Sequence, residues 1–182
     1  SGLINGTPTV LSEITEYTIT AQDDNDFTYS TTISISVIGI VYSPSPPIYR
    51  FNKNIPILAP DIPTPEVVPE LPNYVYSIIG ASLPNGIVLS PTDGTITGTP
   101  LKVSPQTNYT IRAIQGTNNF TTDISLNVYE LSYPKSEYIL DINVTISPLI
   151  LKVDGITDPS FTIDPALPPD GGLSFDTANG TI

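Results

Sequence analysis

The chain has 182 residues, a net charge of −12 at neutral pH and only six Lys+Arg, too few cations to neutralise a run of phosphates, so nucleic acid is excluded as a partner. With no His and no Cys it lacks imidazole bases, thiol nucleophiles, disulfides and the usual zinc ligands, and nothing implies a cofactor. Twenty prolines and twelve glycines leave no helix-length window, and no run of about 18 apolar residues is present to span a membrane, so the pattern reads as all-β.

Taken in order, the chain opens on SGLINGTP (1–8) and continues with SEITEYTITAQDDNDFTYSTTISISV (12–37). This second stretch reads as a Tyr-Thr-Ile strand, a polar turn and an alternating strand in which Ile33, Ile35 and Val37 share a face. SPSPP (43–47) follows. Proline offers no N–H to a ladder and favours extended geometry, so the run is expected to be a short, stiff connector between domains. Apolar runs then fall near 47–52, 55–58, 65–68, 74–79, 86–89, 94–97, 107–114 and 119–128, and the proline cluster 59–72 is expected to mark an edge strand or a long connection. In the last run Phe120, Thr122, Ile124, Leu126 and Val128 point one way, with Thr121, Asp123, Ser125 and Asn127 on an expected wet face.

The chain also repeats itself. DGTITGTP (93–100) echoes SGLINGTP and the closing NGTI (179–182), placing Ile4, Ile96 and Ile182 in register at spacings of 92 and 86 residues. Upstream of the motif, 74–96 matches 160–182 and 41–62 matches 131–153; downstream, 104–128 matches 12–37. One complete repeat, 41–130, is therefore expected between the C-terminal part of a preceding copy (1–40) and the N-terminal part of a following one (131–182). About seven short strands in some 90 residues, with turn signals every 8–12 residues, fit a two-sheet immunoglobulin-like sandwich. The fold class is accordingly all-β, built of tandem immunoglobulin-like β-sandwich repeats, one complete and two partial.

LPNGIVLSPTDGTITGTP, followed by YTIRAIQGTNNFTTDISLNV, resembles the immunoglobulin-like repeat of large surface proteins. That repeat runs Leu-Pro-x-Gly-Leu-x-Leu, then Thr-Gly-x-Ile-x-Gly-Thr-Pro, then Tyr-Thr-Val-x-Ala. The chain is also similar to dystroglycan-type cadherin-like domains. Counting the partial copies, the resemblance covers the whole chain; it departs at Leu3-Ile4-Asn5 in the first copy and at the Pro-Asp-Gly-Gly insertion (169–172) in the third. It implies an extracellular or cell-surface tandem array without catalysis. The expected function is a structural segment of an extracellular fibre, filament or stalk, and the alternative is an adhesin module that binds carbohydrate or protein through sandwich loops. The expected partners are neighbouring repeats of the same chain or neighbouring copies, head to tail. Continuation of one long chain is the favoured way to complete the half-domains, and completion between molecules is the other.

The sequence offers three kinds of candidate site. Asp23, Asp24 and Asp26 could ligate calcium, but Asp and Asn also favour solvated turns, and the equivalent Gln115–Asn119 turn carries no carboxylate, which favours the turn. Sequons at Asn5, Asn108, Asn119, Asn143 and Asn179 are candidate glycosylation sites in a host that N-glycosylates. The 18 Asp+Glu show no pairing of the kind glycoside hydrolysis uses, and a Ser nucleophile finds no His, so no catalytic residue is assigned.

Overall fold

The computed structural model describes residues 2–43 and 48–182 and contains strands only: β1 (Ser12–Gln22), β2 (Thr28–Val37), β3 (Gly39–Ser43), β4 (Ile48–Asn52), β5 (Thr64–Val68), β6 (Val75–Ile79), β7 (Ile87–Leu89), β8 (Ile96–Gly98), β9 (Ser104–Gln115), β10 (Asn118–Ser132) and β11 (Lys152–Asp154). Strands β3 to β10 form a sandwich. One layer is β4-β10-β9-β6, with β4 parallel to β10 and the other pairs antiparallel. The other layer joins β3 to β5 and β7 to β8, and the Ile96 N–H donates to the Pro63 carbonyl at 3.0 Å to connect the two pairs.

Period-two alternation places the core. Tyr109, Ile111 and Ala113 of β9 and Ile124, Leu126 and Val128 of β10 face inward and meet Ile40, Tyr42, Tyr49, Phe51, Ile87 and Ile96. β-Branched and aromatic side chains fill a pleated face well, which is why the Ile-, Val- and Tyr-rich runs become these strands. The β9–β10 turn is two residues long, and Gly116, at φ 58°, takes the left-handed conformation such a turn requires.

Several details differ from expectation. Residues 55–58 form no strand; Ile57 is buried and makes one ladder-like bond, from its N–H to the Gly98 carbonyl at 2.9 Å. The cluster 59–72, by contrast, holds β5 as expected of an edge strand: it pairs with β3 in a two-stranded sheet, and the single bond toward β8, from the Ile96 N–H, is taken by Pro63 just before it. Residues 44–47 of the SPSPP run, the expected connector, lie outside the described residues; the strands before and after them, β3 and β4, belong to opposite layers of one sandwich, and Ile40, Tyr42, Tyr49 and Phe51 enter one core. On the expected wet face, Ser125 and Asn127 are buried: β10 is flanked by β4 and β9 there, and the Asn127 side chain donates to the Ser104 carbonyl at 3.1 Å across an irregularity in the β9–β10 register.

The flanking segments repeat parts of this sandwich. β1 and β2 form an antiparallel hairpin matching β9 and β10, with Thr15 opposite Ile35 where Thr107 faces Leu126. In 131–182, Leu149 and Ile182 exchange two backbone bonds at the place where Pro63 and Ile96 share one. Asn54 and Asn143 both adopt φ 62° in matching turns.

Candidate functional site

The DGTI turn shows why its residues recur. Asp93 Oδ1 accepts from the Thr95 N–H at 2.9 Å and from the Thr95 hydroxyl at 2.7 Å, and these bonds hold its carboxyl below the usual aspartate range. Gly94 sits at φ 72°, where an added Cβ would come within 2.7 Å of the Tyr76 ring. Its carbonyl accepts the Tyr42 hydroxyl at 2.6 Å, and burial pushes that hydroxyl well above the ordinary tyrosine value. Ile96 is wholly buried, and Gly98 approaches the Gly86 carbonyl too closely for any side chain, 2.1 Å from where a Cβ would stand. Within 131–182, Asn179 Oδ1 accepts from the Thr181 N–H, and Tyr133 donates to the Gly180 carbonyl, so the turn and its tyrosine latch recur as a unit.

β10 runs on past the sandwich, and its residues Glu130, Leu131 and Ser132 pair with Asp154, Val153 and Lys152 of β11. This repeats the β3–β5 pairing, Gly39 with Val68 and Ile40 with Val67, one copy later. β10 therefore passes from its pairing with β9 into its pairing with β11 without a break. Glu130, only 9% exposed, binds Lys53 at 3.1 Å and Lys152 at 2.8 Å through one carboxylate oxygen. Its bonds to Lys152 and then Lys53 hold the carboxyl below its ordinary value. Lys53 also donates its N–H to the Tyr129 carbonyl at 2.7 Å, and Gly155 packs against Val103 and the Val128 carbonyl. Sequence reasoning missed this triad because Lys53, Glu130 and Lys152 are far apart in the chain; only the strand pairing brings them together. At the preceding joint Gly39 occupies the place of Glu130, and the contact is instead a bond from the Glu70 N–H to Glu13 Oε1 at 3.0 Å. An open groove of about 480 Å³ lies beside it, lined by Leu11, Glu13, Glu66, Glu70, Tyr74 and Tyr76 among others.

The other candidate residues lie elsewhere. Asp23 turns its carboxylate on its own loop, accepting from the N–H groups of Asn25 (2.9 Å) and Phe27 (3.0 Å) and from the Tyr29 hydroxyl (3.3 Å). Asp26, at φ 65°, accepts from Gln22. This is how a polar hairpin turn satisfies its backbone, and no group of three or more acidic side chains disposed to hold a metal occurs among the described residues. Asn5, Asn108, Asn119, Asn143 and Asn179 are all exposed and lie on different elements.

Two facing layers, with β3 and β4 in opposite ones and β4 parallel to β10, define an immunoglobulin-like β-sandwich. Residues 40–129 match the family described as "Putative Ig domain", and this segment of the chain belongs to it. No curated protein matches the chain in sequence. Solved structures similar to it include the protocadherin GammaB4 extracellular domain, at 15% identity and TM-score 0.37, covering 91% of this chain and 33% of that one. Murine CEACAM1b is 14% identical at TM-score 0.33, covering 63% of this chain and 58% of its own. The protocadherin gammaB7 EC3-6 cis-dimer is 15% identical at TM-score 0.36, covering 92% of this chain and 49% of its own. The chain thus spans less than two thirds of the length of each of these structures. No helix among the described residues is long and apolar enough to cross a membrane.

Proposed function

We propose that the chain is a structural segment of an extracellular fibre, filament or stalk assembled from tandem immunoglobulin-like sandwiches, with 41–130 as a complete repeat and 1–40 and 131–182 as parts of its neighbours. The observation that carries this reading is the unbroken passage of β10 into the pairing with β11. A strand shared by two sandwiches, braced by Lys53, Glu130 and Lys152, resists bending where a loose linker would not. Each sandwich touches mainly its neighbours, so the array transmits load along its axis. Electron microscopy of the native polypeptide tests this: straight particles should show an axial period of roughly 40 Å, the length of a strand of about 12 residues. Particles bent at random at every joint would sink the reading.

The exposed sequons Asn5, Asn108, Asn119, Asn143 and Asn179 would carry glycans on the lateral faces in a host that N-glycosylates. Intact mass before and after glycosidase treatment decides it; an unchanged mass equal to the bare polypeptide removes the proposal. The second reading, an adhesin module, rests on the groove beside the preceding joint, where Tyr74 and Tyr76 lie next to Glu13, Glu66 and Glu70. It expects binding of a carbohydrate or cationic protein that Tyr76→Ala abolishes, whereas the structural reading expects none.

A further inference from the structure

The outer face of the β4-β10-β9-β6 layer carries a hollow that neither the core nor the β10–β11 joint uses. Asn108 of β9, Ser125 of β10 and Ile48 of β4 stand abreast on that face, because Ser125 pairs with Asn108 on one side and with Ile48 on the other. Adjacent strands lie about 4.8 Å apart, so the rank is about 10 Å wide. Its middle member is the smallest of the three. A depression of about 240 Å³ opens there, lined by Ile48, Gln106, Asn108, Asp123, Ile124 and Ser125. Ser125 is only 6% exposed, and its buried hydroxyl has no hydrogen-bond partner among the described residues. Asp123 is held in place, its Oδ1 accepting from the Thr110 hydroxyl at 2.6 Å. Ile48, 37% exposed, gives the hollow an apolar wall. An unmatched buried hydroxyl costs stability that a group able to hydrogen-bond with it restores.

Asn108 opens the sequon Asn108-Tyr109-Thr110, is exposed, and itself lines this hollow. We propose that Asn108 carries an N-linked glycan whose first sugar folds back into the hollow, hydrogen-bonds to the Ser125 hydroxyl and lays its C–H face on Ile48. The proposal rests on the reading that the sequons carry glycans, and adds which of them is built into the fold. Transfer joins Asn108 Nδ2 to the anomeric carbon of a polyprenyl-phosphate-linked saccharide. The anomeric C–O bond to phosphate breaks, the lipid phosphate leaves with the electron pair, and the amide gives up one proton. A pyranose suits the place because it has both kinds of surface, hydroxyls for Ser125, Gln106 and Asp123 and an apolar face for Ile48. Asn119 makes the contrast. It stands on the same outer face opposite Ile114, with Val75 beyond, so a glycan there meets branched side chains instead of a hollow.

The test uses the whole chain secreted from a host that N-glycosylates, beside an Asn108→Gln chain that lacks this one sequon. Mass mapping of proteolytic peptides should find sugar on Asn108. Ser125→Ala then reads the seat through a change of sign. In the Asn108→Gln background it removes an unmatched buried hydroxyl, and the thermal midpoint of the central sandwich should hold or rise. In the glycosylated chain it removes a hydroxyl bonded to sugar, and the midpoint should fall by about 4 °C or more. Sugar on other sequons with Asn108 bare overturns the proposal and leaves glycans on the lateral faces standing. So does a Ser125→Ala shift of the same sign in both chains. A chain that carries no sugar at any sequon overturns both.

Discussion

The Tyr42 hydroxyl donates to the Gly94 carbonyl at 2.6 Å across 52 residues of sequence, pinning the first strand of the sandwich to the turn that leads into β8. The bond is buried, and the carbonyl it satisfies belongs to a glycine that no other residue can replace without meeting Tyr76 and Pro65. Tyr42→Phe keeps the ring and removes the donor, leaving a buried acceptor unmatched. Chemical denaturation should show a loss of about 1–2 kcal/mol in the central sandwich. Tyr133→Phe, which breaks the counterpart bond to Gly180, should leave that transition unchanged, because both residues lie outside the core of the central sandwich.

The open and covered copies of one face give a paired prediction. Ile111→Ala removes a fully buried side chain from the middle of β9 and should destabilise the central sandwich by about 2–5 kcal/mol. Ile19→Ala alters its counterpart on β1, 40% exposed, and should shift the same transition by about 0.5 kcal/mol or less in dilute solution. Equal losses for the two variants would mean that the hairpin face is covered within the molecule.

Much of this architecture was legible in the residues. Strict alternation in 119–128 reports burial on one side, and the inward set Ile124, Leu126 and Val128 is buried as the pattern predicts. The DGTI repeat was visible as spelling, and the structure supplies its reason in the turn bonded through Asp93 and the closeness of Gly94 and Gly98 to their neighbours. The role of the prolines was not legible. Proline signals an extended segment with no donor, but whether that segment is a strand or a connection depends on what pairs with it, as β5 within 59–72 pairs with β3. Nor was the Lys53–Glu130–Lys152 triad, since each charge taken alone reads as an ordinary surface residue and only the β10–β11 pairing makes it a joint.

Acid should loosen that joint. The Glu130 carboxyl lies below its ordinary value of 4.5 in the folded chain, so its contribution is fully present above that value and is lost as pH falls through the lower folded-state value. The attachment of β11 should therefore weaken progressively as pH falls below 4.5. Hydrogen exchange at the amides of 130–132 and 152–154 reports it directly. Glu130→Gln should show the faster exchange already at pH 7 and little further change on acidification. Lys152→Ala should free β11 while sparing the Lys53 contact.

Tyr49 offers the opposite sign. Its hydroxyl is buried without a hydrogen-bond partner in the described structure, and burial pushes its pKa up to about 12. Leaving a buried polar group unmatched costs about 1–3 kcal/mol, so Tyr49→Phe, which retains the ring stacked at 6.4 Å on Phe51, should be neutral or stabilise by up to about 1 kcal/mol. The substitution should also change the alkaline limb. A tyrosine whose folded value exceeds its unfolded value of 10.0 contributes stability that is intact below that value and disappears as pH climbs toward 12. Denaturation midpoints measured between pH 9 and 12, a window set by that shift, should fall less steeply for Tyr49→Phe than for the natural chain. A residual slope should remain from Tyr42, whose hydroxyl is raised by the same cause and is also held by Gly94. A variant that is less stable at neutral pH and just as steep in alkali would show that the Tyr49 hydroxyl has a partner after all.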